Sequence, residues 1–391
     1  MSPRCTRTLV GGATALGIGL FAALPSALSA SAATTSGTPA HKLRVLYDVG
    51  LHHHLTPAEA ASATAAFGFT HYTASVKVGS KTFTYTIAGK NPAIKTSNPA
   101  STINVELVPL VMKFSNGDTW NPGTKDSCDS GASALARTQN SPIFKPTSFT
   151  FGGTKIGNVQ VTDAFQRAEF WKFAKPGGIN PKFGITLNMK TLNPVTINVP
   201  NADAAEIAPT PCGNGLLGGA EINWLDNHLQ KTVIPSLKSQ GVGPSTLPIF
   251  LLHNFVEFVG TTSQCCVLGY HNATAGGQTY GLSMYDNSRD FNGSSDISAL
   301  SHEVGEWQND PSTNNPTPAW GNIGQVSGCQ RNLEVGDPLS GTTFTSKLNG
   351  FTYHPQEMAF FSWFYHQKPS LGVNGWYSDK GTFRNFAAPC P

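Results

Sequence analysis

The segment 301–307 carries the residue types and the spacing of a metal site. It reads Ser-His-Glu-Val-Gly-Glu-Trp, so His302 and Glu306 are four residues apart and Glu303 follows the histidine. On an α-helix, side chains four positions apart lie about 40° from each other and can hold one ion together. Imidazole nitrogen and carboxylate oxygen are both common zinc ligands. The segment therefore predicts a metal-binding face on a helix.

A helix over residues 297–308 is expected to carry this face. Ser295 or Asp296 can cap its first turn, and the Asp-Pro pair at 310–311 can end it. Gly305 inside a helix costs about 1 kcal/mol relative to alanine, which indicates a close backbone approach or a need for space. The apolar residues of the segment share the opposite face. They are Ile297, Leu300, Val304 and Trp307.

The pattern resembles the H-E-x-x-H helix of zincin metallopeptidases, with Glu306 in place of the second histidine. The resemblance implies a zinc ion, Zn2+, bound by His302 and Glu306, with Glu303 as the catalytic base that polarises the attacking water. In the gluzincin branch a downstream glutamate is the third ligand, and Glu334 resembles it in position. Asp337 is the alternative, either as a ligand or as a carboxylate that orients His302.

The residues around position 354 offer a further set of site residues. A last helix is predicted over 355–366, with His354 and Glu357 at its start as a competing pair of ligands. His354 or Tyr353 is also expected to stabilise a developing oxyanion as a hydrogen-bond donor. His354 is therefore a catalytic candidate beside Glu303, and Glu357 is an alternative ligand.

Three sequence blocks extend the resemblance beyond the helix. The chain holds H-E-V-G-E-W-Q-N-D-P at 302–311, L-E-V-G-D-P at 333–338 and D-A-F-Q-R at 163–167. In this order the blocks look like those of a group of uncharacterised secreted bacterial proteins, over most of the chain after its leader. The likeness supports a zincin-like interpretation, and the group brings no settled activity.

Several other polar and aromatic residues are expected to have structural roles. Three consecutive residues cannot all face one ion in regular structure, so the histidines at 52–54 are expected in a solvated loop. His253 and His271 lie in apolar strand segments, where a hydrogen-bonded core histidine is more common than a ligand. The segment 126–131 is expected to be a polar turn. Core positions are expected for Phe360, Phe361, Trp363 and Phe364.

Residues 1–32 have the pattern of a secretory signal peptide. Arg4 and Arg7 precede an apolar run over residues 9–28, and the small residues Ala-Ser-Ala at 30–32 form a cleavage site. We therefore expect a secreted, extracellular protein.

The cysteines after this leader support export, because an even number of them in an exported chain indicates disulfides. They are Cys128, Cys212, Cys265, Cys266, Cys329 and Cys390. The sequence does not choose among the possible pairings. Cys265 and Cys266 are nevertheless expected to have different partners, because a ring formed by adjacent cysteines is strained.

The charge balance excludes two classes of partner. The chain has 26 basic and 23 acidic residues, which gives no electrostatic reason to bind nucleic acid or anionic lipid. After the leader, no segment reaches the roughly 18 apolar residues that a membrane span requires. We expect neither a nucleic acid nor a membrane as partner, and the sequence does not indicate the oligomeric state.

The order of periodic segments predicts an α+β fold. A β-rich N-terminal region over 33–175 is expected to precede a zincin-like domain over 176–391, in which a mixed sheet packs on the active-site helix. The sequence leaves open whether the N-terminal half is a removable propeptide. Helices are predicted at 56–67, 163–173, 219–237, 297–308 and 355–366, strands at 72–86, 104–114, 181–199, 247–258, 266–270 and 279–285, and a loop at 311–328.

Together these features favour a secreted zinc-dependent hydrolase that acts on a protein or peptide. The main alternative is a non-catalytic binding protein on a zincin-like scaffold, in which the change to Glu306 has abolished catalysis. A glycoside hydrolase fits less well. Glu303 and Glu306 are too close on one helix to flank a sugar ring from opposite sides.

Overall fold

The computed structural model describes residues 42–46, 55–324, 326–386 and 390. The predicted signal peptide and the histidine run at 52–54 lie outside these ranges. No helix within them is long and apolar enough to cross a membrane.

The strands of the described chain are mostly short. In chain order they are β1 (His71–Val78), β2 (Lys81–Ala88), β3 (Ala100–Lys113), β4 (Thr119–Trp120), β5 (Thr147–Phe151), β6 (Thr154–Val159), β7 (Gly184–Thr191), β8 (Val195–Asn198), β9 (Ala204–Pro209), β10 (Leu216–Glu221), β11 (Thr246–His253), β12 (Phe255–Phe258), β13 (Cys265–Val267), β14 (Gly269–Ala273), β15 (Thr279–Tyr285), β16 (Pro316–Ile323), β17 (Val326–Asn332), β18 (Ser346–Leu348) and β19 (Phe351–Tyr353). The predicted hairpin over 72–86 is confirmed as β1 and β2, which pair antiparallel.

The α-helices of the described residues are α1 (Pro57–Ala66), α2 (Ala134–Gln139), α3 (Val161–Glu169), α4 (Trp171–Ala174), α5 (Ile222–His228), α6 (Ile234–Ser236), α7 (Ser298–Asn309) and α8 (Phe361–Phe364). The helix predicted over 297–308 is confirmed as α7. Its predicted cap is wrong, because Ile297 is the N-cap residue and no side chain caps the helix. The Asp296 carboxylate accepts instead from the backbone of Ile297 and His354.

A mixed sheet forms the centre of the fold, with the strand order β14, β15, β11, β3 and β4, and with β7 and β8 also paired to β3. The pairs of β3 with β7, of β3 with β11 and of β11 with β15 are parallel, whereas β14 pairs antiparallel at the edge. β3 belongs to the N-terminal region but lies inside this sheet. Residues 41–391 form one compact unit, so the predicted boundary at residue 175 falls within it. Cleavage at that boundary would separate an inner strand from the rest of its sheet.

Both faces of this sheet are covered. Along β11, successive side chains point to opposite faces, as strand geometry requires. The alternate positions Leu247, Ile249 and Leu251 join the hydrophobic core that contains Val304 of α7. Phe250 and Leu252 join a second hydrophobic core, on the other face. The predicted α+β class and the mixed sheet are confirmed, and α7 packs against β14 and β15.

Two predicted elements in the middle of the chain differ from the structure. The helix predicted from residue 219 begins at Ile222, because residues 216–221 are paired in β10. It continues through a π-helical turn at Leu229–Val233. The predicted loop over 311–328 instead contains β16 and the start of β17, which pair antiparallel.

The predicted last helix over 355–366 is also wrong for most of its length, because only α8 is α-helical. The backbone N–H groups of Glu357 and Ala359 donate to the carbonyl oxygens of Thr342 and Val335 in other segments. These hydrogen bonds replace the ones that a helix would form. The segment before α8 is therefore held by distant parts of the chain.

Disulfides link the cysteines in three pairs: Cys128 with Cys212, Cys265 with Cys266, and Cys329 with Cys390. The prediction that Cys265 and Cys266 have different partners is wrong. The other four cysteines pair with one another over separations of 84 and 61 residues, which leaves the adjacent two as each other's partners.

Candidate metal centre

The helix α7 is buried on its polar face as well as on its apolar face. His302, Glu303 and Glu306 are each less than a tenth exposed. The apolar residues predicted to lie opposite them are also buried. A Cβ atom on Gly305 would overlap Met358, so the glycine permits a close packing contact. A solvent-facing helix is therefore excluded for this segment.

One group of possible ligands joins α7 to the turn after β17. The Nε2 atom of His302 lies 3.1 Å from Oε1 of Glu306 and 3.5 Å from Oδ1 of Asp337. One ligand atom from each of the three lies within 4.8 Å of the others. The backbone N–H groups of Gly336 and Asp337 donate to Oε1 of Glu306 at 3.0 and 3.2 Å. The structure thus brings His302, Glu306 and Asp337 together.

Gln356 determines which nitrogen of His302 faces this group. Its Nε2 donates to the carbonyl oxygen of Gly336 at 2.8 Å, so its Oε1 is the atom that lies 3.2 Å from Nδ1 of His302. An amide oxygen only accepts, and Nδ1 must therefore carry a proton. In a neutral imidazole, Nε2 then presents its lone pair to the carboxylates. This is the arrangement of a metal-binding histidine whose other nitrogen is held by a neighbouring acceptor.

His271 also belongs to the centre, and this role of His271 was not predicted from the sequence. Its Nδ1 lies 3.4 Å from Oε2 of Glu303 and 3.7 Å from Oε2 of Glu306. Along β14 its side chain shares a face with Gly269, where an added Cβ would lie 3.1 Å from Cγ of Glu303. His271 was expected to be a purely structural core histidine. Its contact with Glu303 depends on strand pairing and helix packing, which the sequence does not reveal.

Glu334 lies in the same centre but outside the closest group of ligand atoms. It lines the same cavity and shares a side-chain hydrogen bond with Glu306. Burial, followed by the charges of Glu306 and Asp310, raises the pKa of Glu334 well above its usual range. The two neighbouring carboxyl groups therefore lie in an environment that disfavours negative charge on both of them. Among the described downstream carboxylates, Asp337 is the one placed with His302 and Glu306.

The carboxylate of Glu306 is held in an unfavourable electrostatic environment. Burial, followed by the charges of Asp337 and Glu303, raises its pKa well above the usual range. Neighbouring buried carboxylates require protons or a cation to offset their repulsion. A divalent ion among these oxygens would supply that offset.

A small cavity gives access to these side chains. Its volume, counted as the space that the centre of a water molecule can occupy, is about 50 Å³. One water needs roughly 10–15 Å³ on this measure, so the cavity has room for about three to five atoms of that size. Val45 and Leu46 border it on one side. The donor set and the space both fit a divalent metal ion.

The structure places the candidates near position 354 in other surroundings. His354 pairs with Asp296, and its Nδ1 donates to that carboxylate at 2.6 Å. Glu357 accepts hydrogen bonds from Ser378 and Thr382. Neither His354 nor Glu357 is among the described residues that line the cavity. Both therefore have partners outside the candidate metal centre.

The pair of His354 and Asp296 predicts a pH-dependent contribution to stability. The hydrogen bond to Asp296 raises the pKa of His354, so the folded state favours the protonated ring. This stabilisation is complete below the ordinary histidine pKa and is lost as the pH rises through the raised value. His354→Gln is expected to lower the free energy of unfolding by about 0.5–1 kcal/mol at pH 5.5 and by less at pH 9, as urea unfolding would measure. An equal loss at both pH values would contradict this assignment.

Substitution of Gly336 is expected to weaken metal binding. A Cβ at this position would lie 2.6 Å from the ring of His302, so Gly336→Ala must displace the imidazole or the turn. We expect the metal dissociation constant to rise about 10–100-fold, as for other residues that orient a ligand. Isothermal titration calorimetry with Zn2+ measures this change in the dissociation constant. Gly243→Ala is the control, because a Cβ there meets no atom within 4 Å, and an equal weakening in both variants would contradict the prediction.

Comparison of the chain with family models, with curated proteins and with solved structures found no match. The interpretation of the centre therefore depends on its own geometry.

Proposed function

We propose that the protein is a secreted, zinc-dependent hydrolase of the zincin type, with proteins or peptides as substrates. The observation that carries the proposal is the orientation of His302, whose Nε2 faces Glu306 and Asp337 while Gln356 holds Nδ1. The three disulfide pairs support export to an oxidising compartment.

The ligands in this proposal are His302, Glu306 and Asp337. Glu334 supports them through its hydrogen bond to Glu306. When bound, a zinc ion supplies a Lewis acid and lowers the pKa of a coordinated water. The sequence preference for Glu334 as third ligand gives way to Asp337, whose carboxylate lies with the imidazole nitrogen of His302 in the closest group of ligand atoms.

Glu303 is the general base in this proposal. Oε1 of Glu303 lies 4.0 Å from Nε2 of His302. Glu303 is therefore adjacent to the three ligands but farther from His302 than Glu306 and Asp337 are. Its Oε2 lies 3.4 Å from Nδ1 of His271, so the imidazole lies directly beside this carboxylate. The carboxylate accepts the proton of the attacking water and delivers it to the leaving amine.

Metal content and casein hydrolysis test the proposal together. The purified protein is loaded with Zn2+, dialysed and analysed for zinc, beside Glu306→Ala and the control Glu206→Ala, which removes an exposed carboxylate. We expect bound zinc and casein release in the wild type and in the control, and loss of both in Glu306→Ala. Absence of zinc from the wild type would overturn the proposal. Bound zinc without hydrolysis would instead favour the non-catalytic binding protein.

A further inference from the structure

The metal centre contains two overlapping groups of possible ligands. One consists of His302, Glu306 and Asp337, and the other of His271, Glu303 and Glu306. All five side chains are buried. Glu306 belongs to both groups, so the two positions for a cation are adjacent.

The two histidines are held in the same way. The Nε2 atom of His271 lies 3.1 Å from the carbonyl oxygen of Asp310. Because a carbonyl oxygen only accepts, Nε2 carries the proton, and in the neutral ring Nδ1 presents its lone pair to the carboxylates of α7. His302 has the mirrored arrangement, with Nδ1 held by Gln356 and Nε2 turned inward. Each imidazole therefore turns its unprotonated nitrogen toward a different side of Glu306.

The two oxygens of Glu306 are divided between the histidines. Oε1 lies 3.1 Å from Nε2 of His302, and Oε2 lies 3.7 Å from Nδ1 of His271. Glu303 shows a similar division, with Oε2 at 3.4 Å from His271 and Oε1 at 4.0 Å from His302. A carboxylate that presents one oxygen to each of two nitrogen donors can bridge two ions.

We propose that this is a dinuclear centre, in which Glu306 bridges a first divalent cation at His302 and Asp337 and a second at His271 and Glu303. The inference rests on the proposed metal-dependent function and adds a second ion to it. Two-metal hydrolytic sites with ions roughly 3.5–4 Å apart are established chemistry, and they include aminopeptidases. Glu303 then holds the second ion through Oε2, while its Oε1 faces the first position.

Metal stoichiometry tests this proposal directly. The full chain is saturated with Mn2+ or Zn2+, and bound metal per chain is measured by elemental analysis for the wild type, His271→Ala, His302→Ala and the control His228→Ala, a histidine of α5. We expect two ions in the wild type and the control, and one in each of the other variants. Circular dichroism establishes that each variant is folded.

The outcomes separate this inference from the proposed function. One ion in both the wild type and His271→Ala would overturn the second position and leave the first. One ion in the wild type that is lost in both variants would show a single shared site, which also overturns the inference. No ion in the wild type would overturn both proposals.

Electron paramagnetic resonance of the wild type loaded with Mn2+ tests the same proposal without any variant, so its result does not depend on the folding of a variant. Two Mn2+ ions bridged by one carboxylate are expected to give a spin-coupled electron paramagnetic resonance spectrum. The spectrum of a single isolated Mn2+ ion at saturation would contradict the dinuclear centre.

Discussion

Replacing Glu303 by glutamine is expected to lower the rate of casein hydrolysis by roughly 10²–10⁴-fold, the usual contribution of a general acid–base residue. An amide has nearly the volume of the carboxylate but cannot accept the proton of the attacking water. The ligands His302, Glu306 and Asp337 remain in this variant, so the first ion is expected to stay bound. The measurement is kcat together with zinc content.

Glu206→Gln is the matched control, because it makes the same chemical change at an exposed position. A rate for Glu303→Gln within a few-fold of this control would rule out the base. Loss of all metal from Glu303→Gln would show that the carboxylate is required for both ions.

The sequence predicted the part of the centre that one helix contains. The spacing of His302 and Glu306 and the apolar positions behind them are local, and a helical period brings them together whatever the rest of the chain does. The turn with Asp337 was also predicted as part of the site, because it lies downstream in an acidic block. The relative positions of Asp337 and Glu334 were not predicted, because they depend on the path of that turn.

The contributions of His271 and Gln356 could not be predicted in the same way. His271 reaches Glu303 only because β14 pairs antiparallel with β15 and α7 packs on both strands. Its strand is buried on both faces, so no polar alternation marks the residue. Gln356 lies in a segment for which a helix was predicted, and its contacts come from pairing with other segments. Both residues depend on contacts between distant parts of the chain.

The largest expected loss of stability comes from removing the disulfide between Cys128 and Cys212. The bond closes a loop of 84 residues, and the loss of this constraint on the unfolded chain is expected to cost about 4–5 kcal/mol. Its two ends are also joined by Asp126, which accepts from the backbone of Cys128 and Gly213. Urea unfolding of Cys128→Ala/Cys212→Ala measures the loss. Cys265→Ala/Cys266→Ala is the control, because the bond that it removes joins adjacent residues and closes almost no loop. We expect this variant to lose less free energy of unfolding. Equal losses in the two variants would contradict the loop-closure explanation.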